Sequence, residues 1–253
     1  MGAPRGEAAV GVRIGFSAVV IAAATVVLCG VAAHAGNDGP ADPSFLLFAG
    51  SDLWRDGQFL NGGTLWSPNG LNHDGFTFKL LLAGGLYDYP SSDLGTNVQG
   101  TALSVSALPG WRIVRDGLTV DLFAGAVVQD FRLSPNDPGS ILRGSYAGGQ
   151  FALDVWYQPD PKTMVALDGS ISSIAYIGSA RAAFGWRPTA DSFFVGPESQ
   201  ALWCTDYLQL RFGAHVTAFR IERLDVSAGA GVAIESTFGR VGPYLRLGFD
   251  TRL

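Results

Sequence analysis

The chain has 253 residues, 47% of them hydrophobic and only 15% charged, with 34 glycines. Its formal net charge of −5 argues against a general affinity for nucleic acid, which needs a basic surface. After residue 35 no stretch is apolar for the 18 or so residues of a helical membrane span, so the apolar content must be buried some other way.

Residues 1–35 read as a cleavable Sec-type signal peptide. Arg5 and Arg13 charge its start, Ile14 to Cys29 form an uncharged apolar run, and Ala33-His34-Ala35 supplies the small residues a signal peptidase reads. A retained N-terminal anchor helix is the alternative. A lipoprotein signal through Cys29 is disfavoured by the bulky Leu28 before it. Cleavage removes two arginines and one glutamate, leaving 15 basic and 21 acidic side chains and a net charge of −6. It also leaves Cys204 as the lone cysteine, so no intramolecular disulfide is expected. Residues 36–44 (GNDGPADPS) form a flexible polar lead-in.

From residue 45 onward the chain reads as about twelve strands (10–14), separated by Gly, Pro, Asn and Asp. They are expected near 45–54, 58–67, 75–88, 98–114, 117–132, 144–158, 162–173, 175–187, 190–201, 205–221, 223–235 and 240–252. No linker divides the region, which is taken as a single domain over 45–253.

Alternation is clearest late in the chain. Leu224, Val226, Ala228, Ala230, Val232 and Ile234 share one face, against Asp225, Ser227, Gly229, Gly231 and Ala233. Leu208, Leu210, Phe212, Ala214, Val216 and Ala218 oppose Gln209, Arg211, Gly213, His215 and Thr217. Period 2 over some ten residues is the pattern of a membrane-crossing strand. The second face carries glycine, alanine, serine and isolated charges, where a soluble sandwich would carry Lys, Glu and Thr. Small residues suit the crowded interior of a narrow closed barrel, and closure removes the unpaired edges that hydrocarbon cannot solvate. Trp54, Trp66, Tyr87, Tyr89, Trp111, Trp156, Tyr157, Trp186 and Trp203 fall near strand ends, as interfacial aromatic girdles do. The sequence ends in an alternating stretch, Tyr244 to Leu253. The expected fold is therefore all-β: one antiparallel transmembrane barrel in the bacterial outer membrane, with lipid as a partner.

Several segments, in order, give the chain a family likeness. They are Phe48-Ala49-Gly50-Ser51-Asp52, Gly62-Gly63-Thr64-Leu65-Trp66, Phe78-Lys79-Leu80, Phe194-Val195-Gly196-Pro197-Glu198, Arg211 to Thr217, and Gly242-Pro243-Tyr244. Through them residues 45–253 resemble the BcsS family of cellulose-biosynthesis accessory proteins, found beside bacterial cellulose synthase genes. The resemblance implies a role in making or exporting cellulose at the outer membrane, with cellulose and other cellulose synthase components as partners. It carries no catalytic residues.

The residues themselves show little enzymatic chemistry. No His/Cys cluster has zinc spacing, no Gly-x-x-x-x-Gly-Lys phosphate loop occurs, and Ser134 to Gly139 has too few acids for a calcium cage. No cofactor is expected. His73 beside Asp74 could act as a base but reads first as a turn residue. His215 lies on the inward phase with no evident nucleophile partner. Lys79, Asp121, Asp154, Asp168, Arg181, Arg187, Arg211, Glu235, Arg246 and Asp250 also fall on the polar phase, where they must pair or meet water. Two readings follow: a salt-bridged plug, or a polar track for a glycan. Lys79, Asp121, Phe123, Asp154, Trp156, Arg211, His215, Phe219 and Arg246 are the candidate lumen or glycan contacts. The favoured expectation is a non-enzymatic accessory that scaffolds, recognises or helps export the polymer. A small channel unrelated to cellulose and a lipid A-modifying enzyme are the alternatives.

Overall fold

A computed structural model describes residues 42–189 and 192–253. The expected signal peptide and most of the expected lead-in lie outside the described residues. The last residues of the lead-in are tied down: the Ser44 N–H donates to Leu253 O at 2.9 Å, and Pro43 O accepts from Leu71 N at 2.8 Å.

Twelve strands follow in chain order: β1 (Phe45–Trp54), β2 (Gly57–Trp66), β3 (Gly75–Ser91), β4 (Thr96–Arg115), β5 (Leu118–Ser134), β6 (Gly144–Asp160), β7 (Thr163–Ser172), β8 (Gly178–Trp186), β9 (Phe194–Cys204), β10 (Tyr207–Ile221), β11 (Leu224–Glu235) and β12 (Arg240–Arg252). Each pairs antiparallel with its neighbours in sequence, and β1 pairs with β12 to close the barrel. The seam is regular from Leu46↔Arg252 to Trp54↔Tyr244, so no strand edge is left open.

The alternation expected from the sequence sets the two faces. Phe76, Leu80, Leu82 and Leu86 of β3 point outward and are exposed, as are Leu103, Val105 and Trp111 of β4 and Phe212 of β10. An apolar surface continuous around the wall is unsuited to water and matches hydrocarbon. The inward set is mainly small or polar, with apolar and aromatic side chains such as Leu108, Phe123, Met164 and Phe194 among it.

Strand limits differ from the sequence reading mainly at two places. Ala175 and Tyr176 take positive φ values of 47° and 51°, so the chain turns there and β8 begins only at Gly178. The strand expected from 190 starts at Phe194. Residues 190–191 lie outside the described residues, and just beyond them Ser192 N closes a turn onto Thr189 O at 3.1 Å.

The start of β1 and the end of β12 sit at the same end of the barrel, because the strand number is even. Outward aromatics gather there: Phe45, Trp66, Phe76, Trp111, Tyr157 and Trp186, all exposed. Trp66 lies over Phe45 and edge-on to Phe76, each at 6.4 Å between centroids. This is the expected girdle, but only part of the expected set belongs to it. Trp54, Tyr87 and Tyr89 fall on the inward phase of β1 and β3 and line a cavity at the opposite end. Trp156 is also inward, against Phe194 at 5.9 Å.

Candidate functional site

The register brings the inward charges into one line. Following directly opposed residues around the wall from β10 to β4 gives Arg211, Gln200, Arg181, Asp168, Asp154, Asp121 and Arg112. Three adjacent acids in such a row repel one another, and each is taken by a cation. Arg181 Nη1 reaches Asp168 at 3.1 Å, Lys79 pairs with Asp154, and Arg112 holds Asp121 through Nε at 2.7 Å and Nη2 at 2.6 Å. Lys79 also sits over the rings of Phe123 and Phe48, 4.9 and 5.8 Å from their centroids.

A second knot crosses the lumen. Glu198, whose side chain is fully buried, accepts from Arg181 Nε at 3.0 Å, Arg246 Nη2 at 2.9 Å and Tyr244 OH at 3.0 Å. Arg211, equally buried, donates through Nη1 to both Asp52 oxygens at 2.6 and 2.8 Å and through Nε to Gln209 at 2.6 Å. Two apolar clusters complete the filling. One joins Leu65, Leu71, Leu108, Phe123 and Ala152, with Leu71 supplied by the 67–74 loop. The other joins Met164, Ala166, Ala183 and Phe194, with Trp156 against it. Among the described residues, these groups occupy much of the half of the lumen where β1 begins and β12 ends, and Asp168 and Asp154 keep 47% and 35% of their side-chain surface exposed within it.

Of the candidate residues, Lys79, Asp121, Phe123, Asp154, Trp156, Arg211, His215 and Arg246 lie on the inward face of the wall. Phe219 is not inward. The β10–β11 register shifts between Val216 and Phe219, and Ala218 has φ 59°. This bulge adds a residue and reverses the phase, so Phe219 faces out opposite Val226 and packs on Phe193 at 5.7 Å. Arg112, Glu198 and Asp52 complete the ion pairs but stood outside the candidate set. Arg112 and Glu198 were hidden in segments read for their turns and aromatics.

His215 is buried, with Nε2 3.1 Å from Phe184 O and Nδ1 2.8 Å from Thr217 Oγ1. The carbonyl can only accept, so Nε2 carries the proton and Nδ1 accepts from the hydroxyl. His73 is exposed and lies 3.3 Å from Asp42. Its sequence neighbour Asp74 is engaged elsewhere, accepting from Val114 N and Arg115 Nη1, both at 2.7 Å. These two bonds hold the Asp74 carboxyl below its ordinary value. Among the described residues no cluster of His, Cys, Asp or Glu is arranged to hold a metal.

Beyond the plug, toward the end away from the termini, lies a cavity of about 790 Å³. Its lining includes Asp52 and Gln209, members of the plug, and it reaches the turns and loops at the far rim.

An apolar outer wall around a polar interior, sealed toward one end, makes this a membrane-spanning β-barrel. The chain belongs to the cellulose biosynthesis protein BcsS family, whose model matches residues 46–253. Phe48, Asp52, Lys79, Phe194, Glu198, Arg211 and Tyr244, from the segments that carried the resemblance, all meet in the plug. Among curated proteins none matches the chain in sequence. Solved structures similar to it include a KdgM porin, with 10% identity and a TM-score of 0.43 over 82% of this chain and 99% of that one. The translocator domain of the autotransporter NalP from Neisseria meningitidis gives 12% identity and a TM-score of 0.47, over 87% and 90% of the two chains. The beta domain of the Bordetella autotransporter BrkA gives 12% and 0.46, over 84% and 100%.

Proposed function

We propose that the protein is a non-enzymatic outer-membrane accessory of bacterial cellulose biosynthesis, exported through a Sec-type signal, that engages the polymer or its secretion machinery at the cell surface without threading it. Family membership supports the pathway, and the lipid-matched outer wall supports the membrane. The observation that carries the rest is the plug. Fully buried Arg211 and Glu198, with their ion-pair partners, occupy the space a polymer would need.

The end bearing the termini faces the periplasm, from which the chain is inserted. The opposite end, with the 135–143 loop beside the cavity, faces outward. The cavity then opens to the exterior, where finished polymer is found. Both nitrogens of His215 are occupied within the wall, which favours a binding or scaffolding role over lipid A modification.

A clean deletion tests the proposal. Cellulose yield, export or fibre organisation should change, and the intact gene should restore it. Cellulose unchanged in amount, location and fibre texture would remove the protein from this role.

A further inference from the structure

The outward cavity holds more chemistry than a plug requires. On β1–β3 its wall is aromatic. Trp54 and Phe59 stack with centroids 5.7 Å apart and planes 13° apart, and Tyr87 and Tyr89 stack at 6.2 Å and 22°. Three of these rings lie flat because the strand beside them offers a glycine. A Cβ at Gly57 would sit 2.4 Å from the Trp54 ring, one at Gly85 2.5 Å from Phe59, and one at Gly100 2.2 Å from Tyr87. A ring laid over a neighbouring glycine covers bare backbone and turns its other face to the lumen.

The wall continues on β4–β7 with hydroxyls and amides: Ser104, Ser106, Gln129, Gln150, Ser170 and Ser172. Ser106 donates to Gln150 Oε1 at 2.6 Å. Gln129 is only 8% exposed, and its Oε1 has no hydrogen-bond partner. A buried carbonyl oxygen left unpaired is costly, so the site lacks a donor that a ligand can bring.

Charge narrows the ligand. The cavity lining contains no Lys or Arg, while Asp88, Asp93 and Asp206 at its rim have no cationic partner among the described residues. Such a rim repels polyanions. The volume of about 790 Å³ falls in the range of roughly 300–1,000 Å³ typical of small-ligand sites.

We infer that this cavity is a binding site for a short stretch of uncharged glucan. Apolar pyranose faces stack on Phe59 and Tyr87, beside the Trp54 ring over which the Arg211 guanidinium already sits, 5.0 Å from the centroid, and hydroxyls meet the serine and glutamine wall, one of them donating to Gln129 Oε1. The inference rests on the proposed role in cellulose biosynthesis and gives that role a physical site.

The test is calorimetry on the folded barrel in a sugar-free detergent, titrated with cellopentaose, with oligogalacturonate of the same length, and with the cationic chitosan pentamer. Saturable binding of cellopentaose alone is expected. Gln129→Leu and Tyr87→Ala should each weaken it on the order of tenfold, the loss of about one well-made contact. The heat-dependent shift of the band on a gel reports whether each variant is folded. Should either fail to fold, wild-type protein carrying a bulky maleimide on Cys204, which lines the cavity, should lose the binding. Absence of saturable cellopentaose binding overturns the inference, as does binding indifferent to the label and to both variants, or preference for either charged oligomer. A deletion that alters cellulose while the barrel ignores cellopentaose discards this site and leaves the accessory role standing.

Discussion

Glu198 shows how a single buried charge is made tolerable. Its carboxylate lies against Gly229, where a Cβ would come within 2.0 Å of Oε1, and there it meets two arginines and a tyrosine. Removing it leaves Arg181 with Asp168 alone and takes from Arg246 its salt-bridge partner, and breaking a buried pair by deleting one partner costs about 3–5 kcal/mol. Glu198→Ala is therefore expected to lower the temperature at which the compact form converts to the unfolded band, with Glu198→Gln falling between it and wild type. An unchanged conversion temperature for Glu198→Ala means that the knot contributes nothing to stability. Lys79, Asp121, Asp154, Arg211 and Arg246 were readable in advance because each keeps the polar phase of an obvious strand. Glu198 was not, because Gly196-Pro197 before it interrupts the alternation of the strand expected near 190–201. In the barrel Pro197 is an exposed, outward-facing member of β9.

At the level of the element, alternation carries information only while the ladder is regular. Phe219 was misplaced because a bulge at Ala218 intervenes, and Thr217-Ala218-Phe219 has no glycine or proline to announce one. The girdle was half legible for a related reason. Position near a strand end can be read from the sequence, but Trp54 and Tyr87 turn in because they share the phase of Asp52 and Lys79, and how flat their rings lie depends on the glycines of other strands across the register. Loops are harder still, since their anchors are distant in sequence. The 135–143 loop is held over the cavity by Asp137, which accepts from Tyr89 OH at 2.9 Å and from Gly139 N at 3.1 Å. The Ser91 hydroxyl first, then the Tyr89 hydroxyl and Gly139 N–H, hold the Asp137 carboxyl below its ordinary 3.8. A depressed carboxylate stabilises the folded loop fully above the unfolded value and loses that contribution as pH falls through the lower folded value. Hydrogen exchange of residues 135–143 should therefore be faster in Asp137→Asn than in wild type at neutral pH. The two should converge below about pH 3.8. Equal exchange at neutral pH means that the anchor is idle.

Across the whole molecule, the barrel and its strand count could be read from the sequence because lipid imposes one simple rule, an apolar outer face of period 2. The interior obeys no such rule. Whether inward charges make a plug or a track depends on which strand stands beside which, and at what stagger. Here the register sets Asp121, Asp154 and Asp168 side by side, so cations must come to them, and the lumen closes around the resulting pairs. That closure has an electrical consequence. In a planar bilayer the wild-type barrel should show no steady open-pore conductance. Replacing Arg211 and Arg112 together by glycine removes two plug side chains and leaves Asp52 and Asp121 to hydrate, so ion steps should appear, cation-selective because the uncovered groups are acidic. Steady conductance in the wild type, of the size seen once the plug is cut, would show that the charged row parts in a membrane. The lumen would then be a path, and export through the barrel would become the better account of its place in cellulose biosynthesis.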